Sequence, residues 1–401
     1  MPPAIWVLGF VSLLMDISSE MIHSLLPVFM VTTLGTSMLV VGLIEGLAEA
    51  TALIVKVFSG VLSDWWGRRK PLALFGYGLG ALSKPLFAIA SGAGLVLGAR
   101  LVDRVGKGLR GAPRDALVAD IAPAQMRGAA FGLRQSLDTV GAFSGPLIAI
   151  GLMLLWANDI RAVFWVAVIP GVLSVALLAF AVREPERPAG TPRQNPISRA
   201  NLRRLGRHYW WVAAVGSLFT LARFSEAFLV LRAQEGGLAL ALAPAVLIAM
   251  NVVYSLGAYP FGRLSDRVSH RALLAAGLLV LVLADVFLAL ASRGPLLWGG
   301  IALWGLHMAM TQGLLAAMVA GAVPAELRGT GFGLFNLLSG LALLVASGAA
   351  GWLWDAHGAS AAFGAGAGVG VLALMALARQ LPRRSGSNAA VPPSPPGRGP
   401  G

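Results

Sequence analysis

The sequence contains no cysteine among its 401 residues. That absence excludes disulfide bonds, thiolate metal sites and cysteine nucleophiles. Charged residues are also scarce, at 12% of the chain, whereas soluble domains contain about 25%. The length alone would allow two or three soluble domains, but so few charges cannot cover their surfaces. The scarcity of charge therefore indicates a membrane protein.

The residues that are abundant support this interpretation. Hydrophobic residues make up 57% of the chain and the mean hydropathy is +0.76, which is typical of a polytopic membrane protein. The net charge of +13 would indicate nucleic-acid binding in a soluble protein. Here most of the excess lies in short loops, where it sets orientation, so we expect no nucleic-acid partner. The N-terminal apolar run contains Asp16 and Glu20, which is not typical of a cleavable signal peptide.

Twelve apolar segments recur along the chain, each long enough to cross about 30 Å of hydrocarbon. All should be helices, because a single span satisfies its own backbone groups only in that form. The predicted spans are 5–29, 39–61, 71–91, 94–116, 128–152, 161–182, 209–231, 239–261, 271–292, 295–320, 330–353 and 360–380.

The loops between these spans alternate in charge. Arg68, Arg69 and Lys70 follow the second span, whereas residues 30–38 contain no lysine or arginine. The basic loops should face the cytoplasm, which also places both termini there, in a bacterial inner membrane. The predicted domains are an N-terminal six-helix bundle at 1–182, a cytoplasmic linker at 183–208, a C-terminal bundle at 209–382 and a disordered tail at 383–401.

Two stretches of the sequence are repeated with nearly the same spacing. Gly60-Val-Leu-Ser-Asp64 returns as Gly262-Arg-Leu-Ser-Asp266, 202 residues later. Pro123-Ala-Gln-Met-Arg-Gly returns as Pro324-Ala-Glu-Leu-Arg-Gly, 201 residues later. Two independent motifs that repeat at nearly the same spacing indicate that the second half of the chain is a duplicate of the first.

The repeated turn resembles that of the major facilitator superfamily of secondary transporters. Its first copy reads Gly60-Val-Leu-Ser-Asp64-Trp-Trp-Gly67-Arg68-Arg69-Lys70, with Trp65 where the family often has a basic residue. The copy ending at Asp266 is degraded. Gly141-Ala-Phe-Ser-Gly145-Pro146 is similar to a motif of antiporters that export solutes. The resemblance implies two six-helix bundles that rock about a central site.

Acidic residues inside the predicted membrane helices need an explanation, because each buried charge costs several kcal/mol, about 2.5–3.5 on insertion scales. Asp16, Glu20 and His23 share one face of the first helix, and Glu45 and Glu49 lie at a similar depth in the second. Neighbouring acids in a low dielectric repel, which favours one of them holding a proton. We therefore expect Asp16, Glu20, Glu45 and Glu49 to couple transport to protons. Alternatively, these acids neutralise Lys56, Lys84 or the arginines of the fourth helix.

In the superfamily, helices 1, 4, 7 and 10 line the central cavity. By that resemblance, the cavity candidates besides the acids are His23, Arg100, Arg104, Arg223, Glu226, His307 and Gln312. Arg110 and Arg114 lie closer to the cytoplasmic end, where Asp64 is expected to pair with one of them as a gate. Arg134 and Asp138, four residues apart, should neutralise one another.

These observations predict an all-α membrane protein with twelve transmembrane helices. The expected function is transport of a small solute by alternating access, coupled to protons and directed outward. Uptake or exchange of an anionic metabolite is the alternative, because the fourth helix is rich in cations. A non-transporting scaffold or sensor is a third possibility. We expect a monomer, not an enzyme, without metal or cofactor.

Overall fold

The computed structural model describes residues 1–66, 68–184, 205–265, 267–291, 293–323 and 327–379. Gly67, Asp266, most of the predicted linker and the predicted tail lie outside these ranges, as does the side chain of Asp64.

The described residues form twelve long helices and contain no β-strand. The predicted all-α fold class is therefore confirmed. The helices are α1 (Pro3–His23, continued by Leu26–Val28 and Phe29–Thr33), α2 (Met38–Trp66), α3 (Arg69–Ala88), α4 (Ala93–Ile121), α5 (Arg127–Leu155), α6 (Ile160–Ala181), α7 (Arg207–Ala222, continued by Ala227–Glu235), α8 (Ala245–Ser265), α9 (His270–Leu290), α10 (Pro295–Ala322), α11 (Arg328–His357) and α12 (Ala359–Arg379).

Ten of the twelve described helices are long and apolar enough to cross a membrane. The other two are α3 and α4, and α4 carries a stripe of charged residues along its length. Such a helix enters a bilayer only when protein or a watery cavity covers its charges. The surroundings of α4 are therefore central to the site described below.

Two helices predicted to be continuous are interrupted. The predicted span 5–29 breaks after His23 and resumes ahead of Pro27, and the predicted span 209–231 breaks between Ala222 and Ala227. At the second break, side chains replace the helical hydrogen bonds. The backbone N–H of Ser225 donates to the hydroxyl of Ser347 at 3.1 Å, and the N–H of Ala227 donates to Ser225 Oγ at 3.3 Å.

The two halves of the chain repeat one packing pattern. In the first half, α1 packs on α5 and α6, α3 packs on α4 and α6, and α2 packs on α4. In the second half the corresponding helices make the same contacts: α7 with α11 and α12, α9 with α10 and α12, and α8 with α10. The duplication in the sequence is thus a duplication of structure.

The hydrophobic cores show how the two halves meet. We call the end that carries the turn at 68–70 the basic end, and the end that carries residues 34–37 and Gly358 the opposite end. Near the opposite end, one continuous core spans both halves, from Phe29 and Phe164 to Trp304. Near the basic end, each half has its own separate core. The hydrophobic cores of the two halves are therefore continuous at the opposite end and separate toward the basic end. Helices α2 and α11 remain in contact there, since a Cβ atom at Gly333 would lie 2.6 Å from Cγ1 of Val57.

Helices α2 and α11 form a close contact between the halves. A Cβ atom at Gly46 would lie 2.8 Å from Cα of Leu344, and one at Gly340 would lie 3.1 Å from Cα of Ala50. Glycine lets the two backbones approach this closely, as small residues do in membrane helix pairs. We call this contact the α2–α11 seam.

Candidate functional site

A cavity of about 440 Å³ lies between the two halves. Its wall runs from the middle of the helices toward the basic end and comes from α1, α2, α4, α5 and α8. Cavities of roughly 300–1,000 Å³ are typical of small-molecule sites. The polar lining residues are Asp16, Glu20, Glu49, Lys56, Lys107, Arg110, Arg114, Gln135, Asp138, Thr139, Asn251, Tyr254 and Ser255.

Acidic and basic side chains are balanced on this wall. The four acids Asp16, Glu20, Glu49 and Asp138 are between 23% and 32% exposed. Two of them face cations directly: Asp16 lies 3.8 Å from Arg110, and Asp138 lies 3.8 Å from Arg114. The cavity therefore presents charges of both signs to whatever enters it.

A second layer of charges lies behind the wall. Glu45 is fully buried and its Oε2 accepts a 2.6 Å hydrogen bond from Arg100, which is also buried. Arg104 pairs with Glu49 at 3.2 Å. The structure thus pairs both acids of α2 with arginines of α4, as the alternative interpretation of these acids expects.

His23 connects the acids of α1 and α2. Its Nδ1 lies 3.7 Å from Glu20 and its Nε2 lies 3.6 Å from Glu45. His23, Glu45 and Glu49 place one ligand atom each within 4.8 Å of one another, a spacing that could hold a metal ion. Because both carboxylates already pair with arginines, we assign no metal here. The arrangement is a charge network in which the state of each acid affects its neighbours.

The glycines of α5 fix the positions of Asp16 and Glu20. A Cβ atom at Gly141 would lie 3.0 Å from Cβ of Asp16, and one at Gly145 would lie 2.8 Å from Cβ of Glu20. Both acids are therefore held where α1 and α5 approach most closely. Pro146 follows within the same helix and is buried. The glycines of the antiporter-like motif thus place the acids of α1 against α5.

Arg110 and Arg114, which the sequence predicts to pair with Asp64 as a gate, both line the cavity. The side chain of Asp64 lies outside the described residues, so the gate stays a prediction. Arg110 lies over the Tyr77 ring at 4.9 Å, and Arg114 donates to Ser12 Oγ at 3.2 Å. Arg134 does approach Asp138, at 3.6 Å, but Asp138 is shared with Arg114. These residues form one network across α1, α4 and α5.

The cavity candidates predicted in the second half lie elsewhere. His307 is fully buried, with its ring stacked on Phe219 at 5.1 Å, and Gln312 is exposed on α10. Arg223 and Glu226 occupy the break in α7, where Glu226 is close enough to interact electrostatically with His23, Glu20 and Glu49. Neither these four residues nor His23, Arg100 and Arg104 are among the residues that line the cavity in the described part of the chain.

The sequence interpretation missed several lining residues. Lys56 and Lys107 are visible in the sequence as charges inside membrane spans, and that signal alone could have found them. Asn251, Tyr254 and Ser255 lie on α8. The resemblance assigned the lining of the second half to helices 7 and 10, so these residues of α8 were not considered.

The basic turn is held by an acid from the end of α6. The backbone N–H of Arg69 donates to Glu184, and that of Lys70 donates to the same carboxylate at 3.3 Å. Arg69 also pairs with Asp120 at 2.6 Å, whereas Arg68 is exposed. The turn therefore ties α3, α4 and α6 together at the basic end.

At the opposite end, the two halves are closed against each other. The continuation of α1 packs on the second segment of α7, and α5 packs on Leu240–Leu242 and α8. The first N–H groups of α2 donate to the carboxylate of Asp355 on α11. We call this contact between Asp355 and Met38–Leu39 the latch. The cavity is therefore reached from the basic end in this conformation.

The sequence profile of the Major Facilitator Superfamily matches residues 8–253 and 227–399. The chain belongs to the major facilitator superfamily. This superfamily member is 32% identical over 358 residues to an MFS-type transporter of Methanocaldococcus jannaschii, with 87% of the chain and 88% of that relative covered. It is 29% identical to the multidrug resistance protein MdtH of Cronobacter sakazakii over 84% of the chain and 82% of that protein.

Solved structures of superfamily transporters share its fold. A mutant of the nucleoside transporter NupG superposes with a TM-score of 0.77 at 13% identity, covering 94% of the chain and 99% of that protein. The superfamily member is thus a multi-pass membrane transporter of small molecules, built on a fold of transporters and not of enzymes.

Proposed function

We propose that this transporter exports a small polar solute in exchange for protons by alternating access. In this proposal the basic end and both termini face the cytoplasm of a bacterial cell, because basic loops are retained on that side. The cavity then opens inward, and the latch and the shared core close the outward side. Transport requires the halves to rock until the opposite end opens and the basic end closes. The protein acts as a monomer, because one chain forms the whole cavity.

The observation that carries the proposal is the set of carboxylates on the cavity wall, each facing a basic partner. When Glu49 takes up a proton, its attraction to Arg104 falls and the arginine becomes available to a solute or another acid. The same exchange operates between Glu20 and His23. A solute and a proton can therefore compete for one network, which is what antiport requires.

The wall chemistry also limits the kind of solute. Charges of both signs and several hydroxyl and amide groups favour a solute with polar or charged groups over a purely apolar one. The relatives named as multidrug resistance proteins support export, at 29% identity or less. The sequence motif at Gly141, Gly145 and Pro146, similar to that of exporting antiporters, supports the same direction.

Exchange of an anionic metabolite is the second candidate function. Lys56, Lys107, Arg110 and Arg114 all line the cavity, and together they form a positive surface on α2 and α4 that would attract an anion. Under this alternative, the cations bind the solute and the acids only orient them. Replacing Lys107 by glutamine would then abolish binding of an anion but leave binding of a cationic solute intact.

A solute is first found by thermal shift of the purified protein against cationic dyes, zwitterionic antibiotics, nucleosides, peptides and organic acids, because a bound ligand raises apparent stability. The protein is then placed in liposomes and assayed for flux of that solute under a pH gradient. We expect Glu20→Gln and Glu49→Gln to abolish gradient-driven flux but to keep solute counterflow, which needs no net proton movement.

Glu235→Gln is the matched control, because Glu235 is an acid at the opposite end and remote from the cavity. It should behave as the unmodified protein does. Full gradient-driven transport by each of the Asp16→Asn, Glu20→Gln, Glu49→Gln and Asp138→Asn variants would exclude proton coupling through the cavity wall.

A further inference from the structure

Asp285 of α9 is a buried acid without a partner. Its relative exposure is 0%, and neither carboxylate oxygen has a hydrogen-bond partner within the described part of the chain. The residue lies outside the cavity, inside the second half. A buried carboxyl group left unpaired in this way needs an explanation.

The surroundings of Asp285 are apolar and tightly packed. A Cβ atom at Gly366 of α12 would lie 2.8 Å from Oδ2 of Asp285 and 3.1 Å from Cε1 of Phe224. Phe224, at the break in α7, in turn packs on Trp304 at 5.5 Å and on Phe363 at 5.2 Å. The carboxyl group and the Phe224 ring therefore both lie beside Gly366, and glycine at this position leaves the space for them.

The cations on the helices around Asp285 are engaged elsewhere or lie apart from it in the described part of the chain. Helix α12 has no titratable residue from Ala359 to Ala378. Arg232 of α7 donates to the carbonyl oxygens of Leu288 and Ala289 on α9, at 2.9 and 3.4 Å, and pairs with Glu235 at 2.8 Å. Arg223 and Glu226 flank the break in α7, His307 lies on α10, and the titratable residues of α9 besides Asp285 are His270 and Arg271, at its start. None of them forms an ion pair or hydrogen bond with Asp285 among the described residues.

The first half shows what a neutralised acid looks like in a similar place. The residue 202 positions before Asp285 is Ser83, and its neighbour Lys84 pairs with Asp103 at 2.7 Å with both side chains buried. The second half has an acid where the first half has Ser83, and Val286 follows it where the first half has Lys84. An ionised carboxylate in such surroundings would be strongly destabilising, so the group is held as the neutral acid.

A row of aromatic side chains connects this acid to the latch. Phe363 contacts Phe224 on one side and Trp354 on the other, at 5.2 and 5.9 Å. Trp354 directly precedes Asp355, which forms the latch. Phe228 packs on both Phe224 and Trp354, and a Cβ atom at Gly42 of α2 would lie 3.2 Å from the Phe228 ring. Separation of the halves at the opposite end therefore removes the first-half neighbour from this row.

We propose that Asp285 is a second proton-binding site, which is sealed in this conformation and reached from the opposite end when the latch opens. The inference rests on the proposed opening of that end, but not on the cavity acids. When Asp285 takes up a proton from outside, the aromatic side chains can close over the neutral acid again. Proton binding in the second half would thus be linked to the return of the transporter to the conformation with a closed opposite end.

Infrared difference spectroscopy of the purified protein tests whether Asp285 holds a proton. The C=O stretch of a protonated carboxylic acid should be present at neutral pH in the unmodified protein and reduced in Asp285→Asn. Identical bands in both proteins would overturn the proposal. If Asp285→Asn does not fold, the protein with Asp285 can be treated with dicyclohexylcarbodiimide, a reagent that adds to protonated buried acids. The peptide that contains Asp285 should then carry the reagent. Absence of the reagent from this peptide would equally overturn the proposal.

Transfer into D₂O tests the route by which the proton exchanges. Deuteration shifts this band, and the shift should develop several-fold faster in Asp355→Asn than in the unmodified protein. Asp159→Asn is the matched control, because Asp159 caps α6 within the first half, with the N–H of Ala162 donating at 3.0 Å. Equal exchange rates in all three would assign Asp285 a purely structural role, even if Glu20→Gln abolishes coupling as proposed for the cavity.

Discussion

Asp355 accepts the backbone N–H groups of Met38 at 2.9 Å and of Leu39 at 2.8 Å, although it follows Met38 by 317 residues. The carboxylate of one half thus caps the first helical turn of α2 in the other half. Free N–H groups and the positive end of the helix dipole both favour an anion at this position. Because the contact joins the two halves at their closed end, we expect it to contribute to the balance between conformations.

Replacing Asp355 by asparagine should shift that balance toward the outward-open form. Asparagine removes the negative charge at the positive end of the helix dipole, at a cost of about 0.3–1 kcal/mol, which corresponds to a change of roughly twofold to fivefold in a conformational equilibrium. Because the chain has no cysteine, cysteines for spin labels can be introduced at Thr33 and Ala239 without removing any. Electron–electron distance measurements should show a larger population of long distances in Asp355→Asn.

Asp159→Asn again serves as the control, since it removes a capping carboxylate that lies within one half. Its distance distribution should match that of the unmodified protein. A long-distance population that is unchanged by Asp355→Asn would show that the latch does not hold the opposite end closed.

The buried pair of Glu45 and Arg100 should behave differently when broken singly or together. Removing one partner leaves an uncompensated buried charge, which typically destabilises a protein by about 3–5 kcal/mol. We therefore expect Glu45→Gln to lower the melting temperature in detergent strongly. The double variant Glu45→Gln/Arg100→Gln should recover a large part of that loss, because no lone charge remains. A double variant less stable than both single variants would contradict this account.

Gly145 should tolerate no side chain. A methyl group there would lie 2.8 Å from both Cβ of Glu20 and the carbonyl oxygen of Ile17, so α1 and α5 must move apart, at a cost of about 1–3 kcal/mol. Gly145→Ala should lower the melting temperature, whereas Gly151→Ala should not, because no atom lies within 4 Å of its built Cβ. Equal stability of the two variants would refute the close contact of α1 with α5.

The effect of the Asp64→Asn substitution is predicted from the sequence pattern of the basic turn. An acid at this position can meet a helix N-terminus or an arginine in the outward-facing form, in which the basic end is closed. The variant should therefore transport more slowly with little change in solute affinity. Binding and exchange measured separately on the same preparation decide it: a tenfold loss of affinity with normal exchange would rule out gating.

The sequence predicts the helical fold well because length and apolarity decide whether a segment crosses a bilayer. It does not predict the break in α7, since no glycine or proline lies between Ala222 and Ala227. Ser347 of α11 replaces a missing helical hydrogen bond there, and that contact forms only after the second half has folded. A tertiary contact of this kind leaves no local pattern.

The site is predictable only in part. Helical spacing places Asp16, Glu20 and His23 on one face, and the structure brings that face to the acids of α2. Which acid meets which arginine depends on the rotation of α4 about its axis, which periodicity alone does not determine. For this reason Arg110 faces the cavity, although its position along the chain indicates the membrane edge.

The single hydrophobic core at the opposite end also has an electrical consequence. The cavity admits water to the middle of the protein, so the membrane voltage falls mainly across the dry layer that contains Phe29, Phe164 and Trp304. A charge that crosses 100 mV changes energy by about 2.3 kcal/mol. A proton or charged solute that passes this layer therefore crosses most of the transmembrane electric field in one short step. If transport carries net charge, its rate should depend steeply on the membrane voltage.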